Sequence, residues 1–276
     1  MNRFIILLIV FSACQQIIDL DEINSQGYPV IEAFINNQDT LQYVRVTQSV
    51  AFTALNISPP ISNAIVRLLD PENNRFFTFG YQNDGYYLSA QLNLEPNTPY
   101  RIQVILPSSD TLISAIEYLP PLSNIDSLHY GSVIVPDELL PRIEIERYYP
   151  IVYGTDPSQS DDFYLWRVYK NDTLFRDPDG LVLLEDRFFN GNDFQNDFTS
   201  FLYDSDDQIK IELNMISASA YEYLSQFKNQ SANQNNRQLA YPYRLNGNIY
   251  NQNNPELPVL GLFSLANSKI FKKNIK

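Results

Sequence analysis

The chain has 276 residues, 44% hydrophobic and 13% aromatic, which suits one large or two medium cores and excludes a disordered chain. Lys and Arg number 19 against 32 Asp and Glu, a formal net charge of -13 that disfavours nucleic acid and anionic headgroups as partners. A single cysteine excludes an internal disulfide, and 9 glycines against 17 prolines and 19 tyrosines point to β-structure with stiff connections rather than a Gly-rich nucleotide fold.

That cysteine, Cys14, follows Arg3, an apolar run from Phe4 to Phe11 and the small pair Ser12-Ala13. A basic start, a short apolar stretch and small residues before a cysteine read as a lipoprotein signal. The apolar run is too short to cross a hydrocarbon core of roughly 30 Å as a helix. Residues 1–13 are therefore expected to be removed and Cys14 to carry acyl chains, whose burial at about 0.8 kcal/mol per CH₂ makes release negligible. Phe11 stands where leucine is the usual residue of such signals. Residues 14–27 are polar and acidic, with Asp19, Asp21 and Glu22, and are read as a tether.

From residue 28 to 121 short strand signals recur: 30–35, 43–50, 64–69, 75–81, 86–90 and 100–106. Asn83-Asp84-Gly85 marks a hairpin, because these residues tolerate positive φ. The spacing predicts an immunoglobulin-like β-sandwich, without the Cys and Trp markers of antibody domains. Pro120-Pro121 is the predicted boundary, since consecutive prolines cannot donate to a ladder. A second β-rich domain is expected over 122–276, with strands at 125–135, 143–153, 163–169, 174–175, 181–184, 209–215 and 259–270. One helix is predicted near 219–230, opened by Ser219-Ala-Tyr-Glu222 as a capping box and closed by the Asn/Gln-rich stretch 229–238. Trp166 is expected in the core.

No G-x-S-x-G elbow, phosphate loop or H-E-x-x-H run occurs, so no catalytic residue is assigned. His129, the single histidine, reads as satisfied or solvent-facing. A glycosidase-type carboxylate pair leaves no fixed spacing and stays as an alternative. Acidic turns at Asp177/Asp179, Asn192-Asp193 with Asn196-Asp197, and Asp204/Asp206/Asp207 offer hard oxygen ligands. None matches the calcium-loop order, and turn formation explains them more simply, so no metal or cofactor is assigned. Tyr241, Tyr243 and Tyr250 beside Asn246, Asn248, Asn251, Asn253 and Asn254 form a candidate recognition surface for glycan or peptide; core tyrosines with a polar loop are the alternative. Asp-Thr/Ser-Leu recurs at Thr40, Thr111, Ser127 and Thr173. Three of these also look like hairpin turns whose Thr-Leu opens the returning strand.

Taken together, the Ser-Ala-Cys signal, IDLDE after it, GYPVIEAFINNQ, YRIQVILPSSDTL, PPLSNIDSL, DFYLWRVYKNDTLF, DRFFNG, SASAYEYLSQF and PVLGLFSLANSKI resemble a Bacteroidota outer-membrane lipoprotein family built on domain of unknown function 4249. The resemblance covers nearly all of the chain after Cys14. It implies a place on the outer membrane beside a TonB-dependent β-barrel transporter, with substrate capture or capping as the role. The acidic tether resembles the signal for surface export in such lipoproteins, and Gln16 is not the aspartate of inner-membrane retention. The four Asp-Thr/Ser-Leu sites match the O-glycosylation pattern of these bacteria. The expectation is a non-enzymatic binding or accessory lipoprotein facing outward. A structural or adhesive envelope protein and a carbohydrate-active enzyme are the alternatives.

Overall fold

The computed structural model describes residues 27–38, 40–50, 57–89, 92–137, 139–175, 180–233 and 244–276. In strand β1 (Pro29–Asn36) the side chains of Ile31, Ala33 and Ile35 are buried while those of Glu32 and Phe34 lie on the other side, the period-two pattern of a strand with one committed face. Antiparallel pairing carries β1 to β2 (Gln42–Gln48) and on to β5 (Tyr86–Ser89). Strand β4 (Arg75–Tyr81) pairs with β5 through Gly80 and Tyr81, and with β3 (Ile65–Asp70) through residues 75–79. The ladder thus turns a corner within β4 and continues through β6 (Pro99–Ile105) to β7 (Thr111–Ser114), with the short β8 (Glu117–Tyr118) also on β6. Ile31, Val44 and Val46 share one buried cluster with Leu68, Ile102 and Val104, as the facing layers of a sandwich do. The hairpin at 83–85 forms as its sequence requires, with Asp84 and Gly85 both at positive φ.

Beyond Pro120-Pro121 lies a long antiparallel pair, β9 (Asn124–Pro136) and β10 (Glu144–Thr155), bulged at Asp126 where Gly154 faces Ile125 and Tyr153 faces Ser127. After β10 come β11 (Phe163–Lys170), β12 (Thr173–Leu174), β13 (Val182–Glu185), β14 (Asp193–Asp197) and β15 (Gln208–Ile216). Strand β14 adds to β10, and β12, β13 and β15 pair with β11. The three-stranded sheet covers the inner face of β11 and β15, enclosing Trp166, Val168, Ile211, Leu213 and Val152. Trp166 is fully buried, as its sequence position predicts. Strand β14 falls within the Asn/Asp-rich 192–197 segment that reads from sequence as turns.

One helix, α1 (Ala218–Asn233), follows β15. It starts before the predicted capping box: Ser217, not Ser219, supplies the cap, its Oγ accepting from the Ala220 N–H at 3.3 Å. Ser219 Oγ instead donates to Glu117 at 2.7 Å. The helix also runs on to Asn233, past the Asn229 at which the polar stretch begins. Ala220 and Leu224 pack one turn apart on Leu165, Ile216, Leu262 and Ala266.

The last strands join what the prolines separate. Strand β16 (Ile249–Asn251) pairs with β7, in a segment whose asparagines read as loop. Strand β17 (Leu260–Asn274) runs parallel to β1 over residues 260–266, then antiparallel to β15 over 267–274. The chain is mainly β, and a continuous ladder from β12 to β16 crosses both halves of the sequence.

Candidate functional site

The outward face of the sheet is not uniformly polar. Register places Arg45 opposite Tyr86 and Glu32 opposite both Arg45 and Leu262. This row runs Tyr86, Arg45, Glu32, Leu262 across four strands, and Tyr43 and Phe34 stand one step along on the same face. Helix α1 lies over the Leu262 end and presents Tyr223 and Phe227, again four residues apart. Between helix and sheet is a groove of about 260 Å³ lined by Glu32, Phe34, Tyr43, Arg45, Tyr86, Tyr223, Leu224, Phe227 and Leu262. A smaller hollow of about 110 Å³ shares Phe34 and Tyr43 and continues to Thr40, Gln42, Arg167 and Asn214.

Two rings in this groove face solvent, Tyr43 at 45% exposure and Phe227 at 50%. Tyr43 meets Tyr86 edge-on at 5.5 Å between centroids, and the Arg45 guanidinium lies 5.3 Å from the Tyr86 centroid. Arg45 Nη1 donates to Glu32 Oε2 at 3.2 Å, so the charges at the groove floor cancel. Arg45 Nε has no acceptor among the described residues. Burial, then the charge of Glu32, pushes the Tyr223 hydroxyl above its ordinary range, so it stays a neutral hydroxyl.

A second cluster is acidic and buried. Asp156, Asp162 and Asp186 bring carboxylate oxygens within 4.8 Å of one another. They come from the end of β10, the start of β11 and the 3-10 turn Asp186–Phe188 after β13. Asp156 accepts from Tyr164 Oη and from the Gly191 N–H at 3.0 Å. Asp162 accepts from Ser160 Oγ at 2.9 Å, and its N–H donates to Asp186 at 3.0 Å. Burial raises the Asp162 carboxyl to about 6 against the Ser160 hydroxyl, and the charges of Asp156 and Asp186 add to the rise. Burial also raises Asp186. Of the described residues these three could hold a hard cation, whose chemistry an all-oxygen set suits; a shared proton relieves the same repulsion.

The acidic turns picked out from sequence behave differently. Asp204 and Asp207 are neutralised by the Lys170 ammonium, 2.8 Å from each, and Arg147 also pairs with Asp204. Asp193 accepts from Thr155 Oγ1 at 2.8 Å. Asp177 and Asp179 lie outside the described residues, as do Cys14, Tyr241 and Tyr243.

None of the described members of the Tyr/Asn recognition set lines the groove. Asn246 is exposed, and Tyr250 is 46% exposed, its hydroxyl accepting from Arg101 at 3.3 Å. Asn248 is spent internally: its amide donates to Glu117 at 3.1 Å and to the Phe263 carbonyl at 2.7 Å, and accepts from the Phe263 N–H at 2.9 Å. Asn251 and Asn253 likewise bond backbone N–H groups. Of the hydroxyls in the Asp-Thr/Ser-Leu runs, Thr40 and Thr173 are exposed, and Thr111 and Ser127 are half-buried. The turn reading of these runs fits at Asn171-Asp172, where both residues take positive φ before Thr173, and at Ser109, also at positive φ. His129 is exposed, its ring edge-on to Tyr153.

The groove itself escaped sequence reasoning. Its local signs are Phe34 and Tyr43, rings on the outward sides of β1 and β2 that they share with Glu32 and Arg45.

A comparison with curated proteins finds no match. A family model described as domain of unknown function DUF4249 matches residues 16–270, and the chain belongs to that family.

Proposed function

We propose that this protein is a non-enzymatic outer-membrane lipoprotein, anchored through Cys14 and facing outward, that captures a ligand for a TonB-dependent β-barrel transporter. The reading is supported by the signal-like run ending at Cys14, the acidic segment after it and membership of the DUF4249 family. The observation that carries the binding role is the aromatic groove between α1 and the β2/β1 face, where two large rings stay exposed around a compensated ion pair. No helix among the described residues is long and apolar enough to cross a membrane; the attachment proposed is the lipid on Cys14. The four Asp-Thr/Ser-Leu sites are proposed as sugar acceptors, with the exposed Thr40 and Thr173 the most accessible.

The test is gentle detergent extraction of the tagged protein from its host, with mass spectrometry of what co-purifies and of the intact chain. A stoichiometric TonB-dependent barrel supports the reading. Recovery of the lipoprotein alone overturns the transporter role and leaves a structural or adhesive envelope protein. An intact mass equal to the lipidated polypeptide removes the proposed sugars.

A further inference from the structure

We infer that the groove between α1 and the β2/β1 face binds an uncharged saccharide of one or two rings, held by stacking on Tyr43 and Phe227 and by hydroxyl contacts to Glu32 and Arg45; this rests on the capture role proposed above.

The rings come first. Tyr43 and Phe227 reach the groove from opposite sides, one from the sheet and one from the helix, and each leaves about half its surface in water. An apolar ring kept exposed forgoes about 25 cal/mol for every Å² that burial would remove from water, and a flat apolar ligand face recovers it. The two rings belong to elements fixed by buried core residues outside the groove lining, Val44 beside Tyr43 and Ala220 on α1. The slot is therefore held open without the ligand, which lowers the ordering cost of binding.

The ion pair then selects among flat ligands. Glu32 and Arg45 share one hydrogen bond, at 3.2 Å, and Glu32 is half exposed. A carboxylate has about four acceptor positions and a guanidinium five donors, so most of the pair's capacity remains. A charged ligand would compete with one partner for the other and leave a charge uncompensated. An anionic ligand also meets a chain of net charge -13. Hydroxyl groups donate to the carboxylate and accept from the guanidinium without breaking the pair. Apolar faces with hydroxyls around the edge are the chemistry of a neutral sugar ring. A purely aromatic ligand or an acyl chain satisfies the phenyl and phenol rings but leaves the polar pair without contacts. The smaller hollow beyond Phe34 and Tyr43, edged by Gln42, Arg167 and Asn214, gives a second polar space next to the first.

The experiment uses the full chain purified from its host in a detergent without a sugar headgroup. It is titrated by calorimetry with a panel of neutral mono- and disaccharides, their uronic-acid counterparts, and tyrosine- and tryptophan-containing dipeptides. Binding of a neutral saccharide that weakens about tenfold or more in Tyr43→Ala and in Phe227→Ala, and also in Glu32→Gln, supports the assignment. Both ring positions are half exposed, so unchanged thermal melting of these variants shows that the fold is intact. Preference for the uronic acids, binding of the dipeptides alone, saccharide binding indifferent to all three substitutions, or no binding across the panel overturns it. A barrel that co-purifies with a protein that binds no sugar ends this inference and spares the transporter reading; sugar binding without a barrel does the reverse.

Discussion

At the scale of single residues, Asp162 in the buried trio with Asp156 and Asp186 gives stability a dependence on pH. Asp162 is raised to about 6 in the folded chain, against an ordinary value of 3.8. The folded state thus holds this proton more tightly than the unfolded state. Its contribution is full below about pH 4, is lost as pH rises through about 6, and is constant above that. The two-unit rise corresponds to a penalty of about 2–3 kcal/mol at neutral pH. Asp162→Asn removes the titration while keeping an oxygen to accept from Ser160 and adding an amide that can donate to a neighbouring carboxylate. We expect Asp162→Asn to melt several degrees above the parent at pH 7.5 and to gain nothing at pH 4, measured in EDTA so that only the proton titrates. Parallel melting curves for the two proteins across this range would show that the trio is not under charge strain. Asp172 shifts the opposite way, lowered by hydrogen bonds from Lys210 and Lys272, so a comparison at one site is cleaner than the parent's overall pH profile.

At the scale of elements, most strands are legible in the sequence because their period-two pattern is local. Arg75–Tyr81 is read to the residue, and the Asn83-Asp84-Gly85 hairpin follows from the φ preferences of its residues, with Asp84 and Gly85 at positive φ. Strand β16 is hidden because its neighbours Asn246, Asn248, Asn253 and Asn254 look like loop, whereas the side-chain amides of Asn248, Asn251 and Asn253 are used to hold the short strand. Asn248 shows why density of Tyr and Asn is a poor guide to a binding surface: its side chain fastens the entry of β16 to β8 and β17. The groove residues, by contrast, come from positions 34, 43, 86, 223 and 227, and only strand register and helix docking bring them together. Asn248→Ala strands the Phe263 N–H and carbonyl, both bonded to it, and frees Glu117 of one donor. With unmet buried polar groups costing about 1–3 kcal/mol each, we expect a loss of about 2–4 kcal/mol in guanidinium unfolding. Ligand binding in the groove should be unchanged. A variant of parental stability with altered binding would return Asn248 to the recognition surface.

At the scale of the whole molecule, the strand that matters is β17. Its first half is the parallel neighbour of β1 and its second half the antiparallel neighbour of β15, so one unbroken segment links the ladder on both sides of Pro120-Pro121. The prolines mark a stiff connection, yet a parallel partner 230 residues away leaves no local trace in the sequence. Melting either half alone would strip β17 along half its length and uncover Leu262 and Ala266 beneath α1. Both halves should therefore unfold together. Trp166 reports on the core beneath β9 and β10, while far-ultraviolet circular dichroism averages all the strands; the two probes are expected to give coincident guanidinium transitions. Gly261 tests the coupling directly. It sits at φ +101 opposite Ile31, and a Cβ added there would lie 2.0 Å from the Ile31 carbonyl oxygen. Gly261→Ala is strained both by its backbone conformation and by that contact, and should cost about 2 kcal/mol or more. The substitution lies in the β1 half, far along β17 from the register of Trp166. If β17 couples the halves, the tryptophan transition moves to lower denaturant together with the dichroism signal. If the tryptophan transition stays in place while the dichroism splits into two steps, the halves are separate folding units joined by a shared strand only in the finished structure.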